Sequence, residues 1–302
     1  MKVGVIGTGV MGKNHVRVFS RIRETESIYV YDPVKSNTDA LKRFGVIVCS
    51  SMNDILRHVD AVSICVPTQH HYKVAQEVIE KKIHCLIEKP ITSTVKEGHD
   101  LLKMMKDDVV VGVGHIERFN PIVEEIRKIV SNIRYCEIKR CNPDSKRITD
   151  VNVIKDLMIH DIDIVFNVLF GGRDYHLSVM GNPDVCCVLT QFGDAVVSLT
   201  ASKASSKKIR TFYVEDEEFT IEGDFMQQEV YVYRKPEKYT MKDERYLQEN
   251  IIEKILLNKV EALYIELETF LECVKNQKPF PVTPEQAVKN LQICEEIGKG
   301  SR

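Results

Sequence analysis

The chain of 302 residues sets 42 Lys and Arg against 44 Asp and Glu, a formal net charge of −2, and is 43% apolar and 28% charged. So even a balance provides no field to recruit nucleic acid or an anionic membrane, and no apolar run approaches the ~20 residues of a membrane span. The length accommodates two domains with full cores.

The chain opens on a strand pattern, MKVGVIG, leaving no room for a signal peptide. KVGVIG, SIYVYD, AVSICVP, HCLIE and VVVGVG are five short apolar runs separated by amphipathic stretches such as HYKVAQEVIEKK and VKEGHDLLKMMK. This alternation predicts an α/β domain over residues 1–120, a doubly wound parallel sheet with helices on both faces. The pattern changes at FNP, residues 119–121. A helix, PIVEEIRKIV, is followed by YCEIKRC, HLSVMG, DVCCVLTQF, AVVSLTASKA, IRTFYVEDEEFTIEGD and EVYVYRK, with one helix around 151–169 among them. Strands without intervening helices predict a second, α+β domain over 121–302 with a large, mostly antiparallel open sheet. The open face is expected to be apolar and to pack against a second copy, giving a homodimer or homotetramer.

The last fifty residues read as helical. LNKVEALYIELETFLECVKN is amphipathic, and VTPEQAVKNLQICEEI has Thr283 as N-cap, Pro284 in the first turn and Gln286 three residues after the cap. This last helix, about 283–298, is expected to pack back on the first domain. Nine cysteines, an odd number without a CxxC pair and several inside apolar runs, read as reduced thiols of a cytoplasmic protein with no metal site.

Gly7, Gly9 and Gly12 stand in G-x-G-x-x-G spacing, with Thr8, Val10 and Met11 between them, after a strand and at the start of a helix. Asp32 closes the next strand, where a dinucleotide's ribose is expected. Gly7 permits the tight turn, Gly9 the approach of a pyrophosphate, and Gly12 close helix packing. The Asp32 charge favours NAD over NADP, although Lys35 and Ser36 lie nearby. In a doubly wound sheet ligands sit outside the carboxyl ends of the strands. AVSICVPTQHH delivers Pro67, Thr68 and His71 to such an end, and HCLIEKP delivers Glu88 and Lys89; all five are expected around the cofactor.

GTGVMG, VPTQHHYKVAQEVIEKKIHCLIEKPI, GHIERFNP, DLMIHDID and the closing PVTPEQAVKNLQICEEI together resemble the glucose–fructose oxidoreductase / inositol dehydrogenase (Gfo/Idh/MocA) family over nearly the whole chain. The resemblance implies a Rossmann domain, NAD as cofactor and a sugar or polyol substrate. The family's EKP motif falls on Glu88, Lys89 and Pro90, placing Lys89 beside the nicotinamide and the reacting hydroxyl. Its D-x-x-x-H falls on Asp156 and His160, with the histidine near the substrate hydroxyl. Positions i and i+4 share a helix face, and Asp163 lies near enough on that face to orient the imidazole. His115, Glu117, Arg118 and Asn120 follow the strand VVVGV, either as an interdomain hinge or as substrate contacts. GHIERFNP is similar to the stretch at this position in members acting on the 3-hydroxyl of a UDP-N-acetyl-hexosamine, which implies a nucleotide-sugar. Arg118, and more weakly Arg210, then become candidates to pair with its pyrophosphate. Lys89, Asp156 and His160 are the expected catalytic residues, and Glu88 either holds Lys89 or contacts the cofactor. Two alternatives stay open: a dehydrogenase of a free sugar or inositol, and a non-catalytic NAD(P)-binding regulator of the same fold.

Overall fold

A computed structural model of the chain describes residues 1–106, 108–143, 152–236, 239–242, 245–248 and 250–300. Two compact units result, Met1–Phe119 with Glu261–Gln292, and Asn120–Val260 with Ile293–Arg302. The second domain expected as one continuous stretch, 121–302, is therefore interrupted: residues 261–292 return to the first unit.

The first unit is built on strands β1 (Lys2–Ile6), β2 (Ser27–Tyr31), β3 (Ile47–Val48), β4 (Ala61–Ile64), β5 (His84–Glu88) and β6 (Val111–Gly114). Every pair is parallel and the order is β3-β2-β1-β4-β5-β6. The chain turns outward in opposite directions from β1 and β4, so the switch point lies between these neighbours, where their carboxyl ends open a crevice. β4 and β6 are buried at every position, as strands covered on both faces must be. β3 was not expected; two exposed residues at a sheet edge leave almost no hydrophobic signature. Helices α1 (Val10–Phe19), α2 (His71–Glu80) and α3 (Val95–Leu102) cross between strands.

The second unit begins with α4 (Pro121–Ile129), which Asn120 caps by accepting the Ile122 N–H at 3.3 Å. Its eight-stranded sheet comprises β7 (Ile133–Pro143), β8 (His176–Gly181), β9 (Val185–Phe192), β10 (Ala195–Ser202), β11 (Ala204–Asp216), β12 (Phe219–Asp224), β13 (Glu229–Arg234) and an edge strand, Ile252–Ile255. The pairing is antiparallel except for β7 with β10. Residues 154–169 form a helix whose Ile154, Met158, Ile162 and Phe166 share one core with Ile138, Val197, Leu199 and Phe212 of the sheet. Tyr239–Lys242 and Arg245–Gln248 form a separate hairpin.

The other face of the sheet is not the apolar surface that was expected. Met180, Leu189, Val196 and Ile252 are exposed on it, interspersed with tyrosines, acids and other polar residues. Tyr135, Tyr213 and Tyr231 donate to Glu137, Glu215 and Glu229 at 3.1, 2.9 and 3.2 Å.

Two helices close the chain. α5 (Ala262–Asn276) belongs to the first unit, where Leu267, Phe270 and Leu271 join the core of Val5, Ile64 and Ile87. It begins at Ala262, so residues 257–260, read as helical from the sequence, are not helix. In α6 (Pro284–Gly300) the Gln286 N–H donates to Thr283 Oγ1 at 3.4 Å and Gln286 Oε1 accepts the Thr283 N–H at 3.3 Å, a reciprocal cap. The unit boundary falls within α6, between Gln292 and Ile293. No helix among the described residues is long and apolar enough to cross a membrane.

Candidate active site

The dinucleotide loop joins β1 to α1. Gly7 has φ +86°, and a Cβ there would meet the main chain of Cys65 and Val66 at 2.7–2.8 Å. A Cβ on Gly12 would lie 2.0 Å from Gly7 O, so only glycine lets α1 start this close to β1. A Cβ on Gly9 has no neighbour within 4 Å, leaving one side of the loop open. No side chain caps the N-terminus of α1 and no acid occupies its first turn, so the amides of Val10, Met11 and Gly12 face that open side uncapped and uncountered by charge. A pyrophosphate fits such a cradle.

Asp32 stands just past β2. Its Oδ2 accepts from Thr8 N–H at 2.7 Å and Thr8 Oγ1 at 3.1 Å, and its Oδ1 from Val34 N–H at 2.8 Å and Asn37 Nδ2 at 3.2 Å. Burial favours the neutral acid, but these four donors outweigh it and hold the carboxyl below its usual range. The carboxylate therefore ties the glycine loop to β2 and keeps a fixed negative charge beside it. Lys35 and Ser36 are exposed.

At the ends of β4 and β5 a second cluster forms. Pro67 precedes the single turn Thr68–His70, and His71 begins α2. The His71 ring is buried, with Nδ1 2.8 Å from Pro90 O and Nε2 2.8 Å from Val66 O. Burial pushes its pKa down against these two carbonyls, which push it up. Both nitrogens thus face main-chain carbonyls, and His71 ties the β4 loop to the EKP turn.

Glu88, the last residue of β5, is buried; its Oε2 accepts the Lys89 N–H at 3.1 Å and its Oε1 lies 2.9 Å from His15 Nε2 of α1. Burial alone would raise this carboxyl, yet His15, by hydrogen bond and charge, with the charge and N–H of Lys89, holds it below the usual range. Lys89 is half-buried, and the Lys89–Pro90 peptide bond is cis. His15 was not singled out in the sequence: its partner lies 73 residues away, and one histidine in a helix carries no signal.

GHIERFNP follows β6 and contains the boundary between the units, Phe119 and Asn120. Arg118 Nη1 donates to Pro281 O at 3.0 Å and to Gln286 Oε1 at 2.7 Å. His115 is buried with Nε2 3.5 Å from Asn290 Nδ2, and Glu117 is buried in the following turn. Asn120 Nδ2 donates to Phe225 O at 3.1 Å.

Asp156 and His160 lie in the second unit, on residues 154–169. Ile154–Met158 and Ile164–Leu169 are π-helical around an α-helical turn, Ile159–Asp163. Such widened turns recur at functional sites. His160 is 9% exposed, and Asp156 Oδ2 lies 3.4 Å from Lys203 Nζ at the junction of β10 and β11. Lys203, itself buried, was missed because a lysine in TASKASS looks like turn polarity. Asp163 Oδ1 accepts from Asn167 Nδ2 at 3.1 Å. Arg210 is half-buried and sits opposite Arg140 in the β11–β7 register, on the core side of the sheet and not on its open face.

The glycine cradle, the Asp32 charge and the strand order define an NAD-binding oxidoreductase fold. Residues 1–115 match the GFO_IDH_MocA family model, described as "Oxidoreductase family, NAD-binding Rossmann fold". The class this defines is that of NAD-binding oxidoreductases. Among curated proteins the chain is similar to a UDP-N-acetylglucosamine 3-dehydrogenase of Acidithiobacillus ferrooxidans, 28% identical over 293 residues, 92% of this chain and 90% of that protein. It is also similar to a scyllo-inositol 2-dehydrogenase (NAD(+)) of Bacillus subtilis, 25% identical over 97% of this chain and 92% of that protein. A solved structure of the Acidithiobacillus ferrooxidans 3-dehydrogenase superposes with a TM-score of 0.89 at 26% identity, covering 100% of this chain and 97% of the other.

Proposed function

We propose that the protein oxidises the 3-hydroxyl of a UDP-N-acetyl-hexosamine, with UDP-N-acetylglucosamine as the first candidate, to a 3-keto sugar. The observation that carries this reading is the end-to-end similarity to the Acidithiobacillus ferrooxidans 3-dehydrogenase, in sequence and in fold. Bound NAD supplies the hydride acceptor. Main-chain amides at Gly9–Gly12 bind its pyrophosphate and Asp32 its ribose. Lys89 sets a positive charge where alkoxide develops, and His160 takes the hydroxyl proton. Asp156, paired with Lys203, sets the polarity around the histidine. His115, Glu117 and Asn120 are assigned to shaping the substrate's surroundings, and Arg118 to the hinge. The second domain supplies substrate contacts, and the protein works in the cytoplasm as a homodimer or homotetramer through the open sheet face.

The test is incubation of the purified chain with NAD and, separately, UDP-N-acetylglucosamine, UDP-N-acetylgalactosamine, scyllo-inositol, myo-inositol and glucose, read as NADH absorbance. Turnover of the UDP-sugars at a kcat/KM at least ~100-fold above the polyols supports the reading. Preference for an inositol, which the similarity to the Bacillus subtilis enzyme makes the second reading, overturns it. Bound NAD without turnover of any of the five points to the regulator. Sedimentation decides the oligomer, and a monomer removes the sheet-to-sheet interface.

A further inference from the structure

The hydrogen bond between His15 and Glu88 joins a side chain of the dinucleotide helix α1 to the EKP turn. Their 2.9 Å hydrogen bond is closed off from solvent, with side-chain exposures of 1% and 10%. Among the described residues His15 Nδ1 has no hydrogen-bond partner, so the ring is held through Nε2, which donates to Glu88 Oε1. The ring is further steadied edge-on against Phe19, centroids 6.4 Å apart. The carboxylate reaches the other way with Oε2, to the main-chain N–H of Lys89.

Packing alone does not explain this arrangement. Two apolar side chains of similar volume fill a dry interior at least as well as a buried histidine–carboxylate pair. What the pair adds is direction: a carboxylate with one oxygen pinned by His15 offers the second in a fixed place, and the N–H it receives belongs to Lys89. We infer that His15 is a positioning residue of the dehydrogenase, orienting the Glu88 carboxylate so that it fixes the main chain of Lys89 at the end of β5. Glu88 then holds Lys89, the first of the two roles open to it. The inference rests on the assignment of Lys89 to the reacting hydroxyl, but the contact itself is measured without any substrate.

The experiment uses the full chain and three variants, His15→Ala, His15→Gln and Lys89→Arg, labelled with ¹⁵N-lysine. Lys89→Arg identifies the Lys89 amide resonance by its disappearance. An N–H donating to a carboxylate is shifted downfield, so His15→Ala should move this signal upfield. His15→Gln, whose Nε2 can still donate to Glu88, should leave it near the wild-type position. An unmoved signal in His15→Ala overturns the inference. A double-mutant cycle then uses whichever substrate of the panel turns over. His15→Ala alone should lower kcat about 10–100-fold while NAD affinity stays within about threefold; added to Lys89→Ala it should lower turnover less than twofold further, because its effect runs through Lys89. Equal fold losses in both backgrounds mean general damage and overturn the inference. Lys89→Ala with undiminished kcat overturns the catalytic assignment instead, and the amide shift still decides the contact.

Discussion

Arg140 and Asp161 form a bidentate ion pair inside the second unit: Arg140 Nε and Nη2 lie 3.0 and 2.7 Å from Asp161 Oδ1, and both residues are 1% exposed. The guanidinium also stands 5.1 Å from the Phe225 ring centroid. The pair fastens the α-helical turn that carries His160 to β7. Removing one partner strands a buried charge, so Asp161→Ala should destabilise the protein by about 3–5 kcal/mol. The double replacement Arg140→Met/Asp161→Leu should recover most of that loss, because two apolar side chains leave nothing uncompensated. Urea unfolding of the three variants checks both expectations.

That pair also marks where sequence reasoning stops. GTGVMG is legible because the requirement is local: Gly7 needs its positive φ, and Gly12 cannot carry a Cβ beside Gly7 O. The reciprocal cap of Thr283 and Gln286 is legible for the same reason. Arg140 and Asp161 lie in different elements, and charges within YCEIKRC and DLMIHDID look like surface. The hairpin and edge strand of residues 239–255 were missed too. Their stretch, YTMKDERYLQENIIEKI, has no glycine or proline to mark its turns.

The loop glycines separate folding from binding. A Cβ at Gly12 collides with main chain 2.0 Å away, so Gly12→Ala should lose stability by about 1–3 kcal/mol or more. At Gly9 nothing lies within 4 Å, so Gly9→Ala should unfold within about 0.5 kcal/mol of wild type. Its methyl nevertheless enters the space assigned to the pyrophosphate, and NAD affinity should fall at least about tenfold, ~1.4 kcal/mol. NAD titrations beside urea curves for both variants test this, and undiminished NAD binding by Gly9→Ala would place the cofactor elsewhere.

Asp32 is expected to set cofactor choice by charge. Its carboxyl is held below the usual range, so it is ionised throughout neutral pH and repels a 2′-phosphate. Asp32→Ser removes that repulsion but also the acceptor for the Thr8 N–H. Affinity for NAD should fall about 10–100-fold, one to two decades at ~1.4 kcal/mol each, and that for NADP less, shifting the ratio toward NADP. Titrating both cofactors against wild type and variant measures the shift.

The two groups assigned to the hydroxyl should behave alike. Positioned acid–base groups supply ~10²–10⁴-fold each, so Lys89→Ala and His160→Ala should each lower kcat by about that factor. NAD affinity should change little, since the cradle is formed by α1 and Asp32. Near-normal turnover by both variants on the true substrate would remove the assignment.

Acid should reveal the Glu88 contact. Burial opposes ionisation of Glu88, but His15 and the Lys89 charge and N–H prevail, leaving its folded pKa below the ordinary 4.5. The unfolded chain thus takes up this proton at higher pH than the folded one. Stability from this group is complete above pH 4.5 and is lost as pH falls through the lower folded value. Glu88→Gln cannot titrate and forfeits the carboxylate contacts at every pH. It should therefore be less stable than wild type at pH 7, and the gap should narrow below pH 4.5 as wild type loses its advantage. Urea unfolding of both proteins at steps from pH 7 downward tests the sign. A gap that widens on acidification would mean that Glu88 is held neutral in the fold, and that His15 and Lys89 do not stabilise its charge.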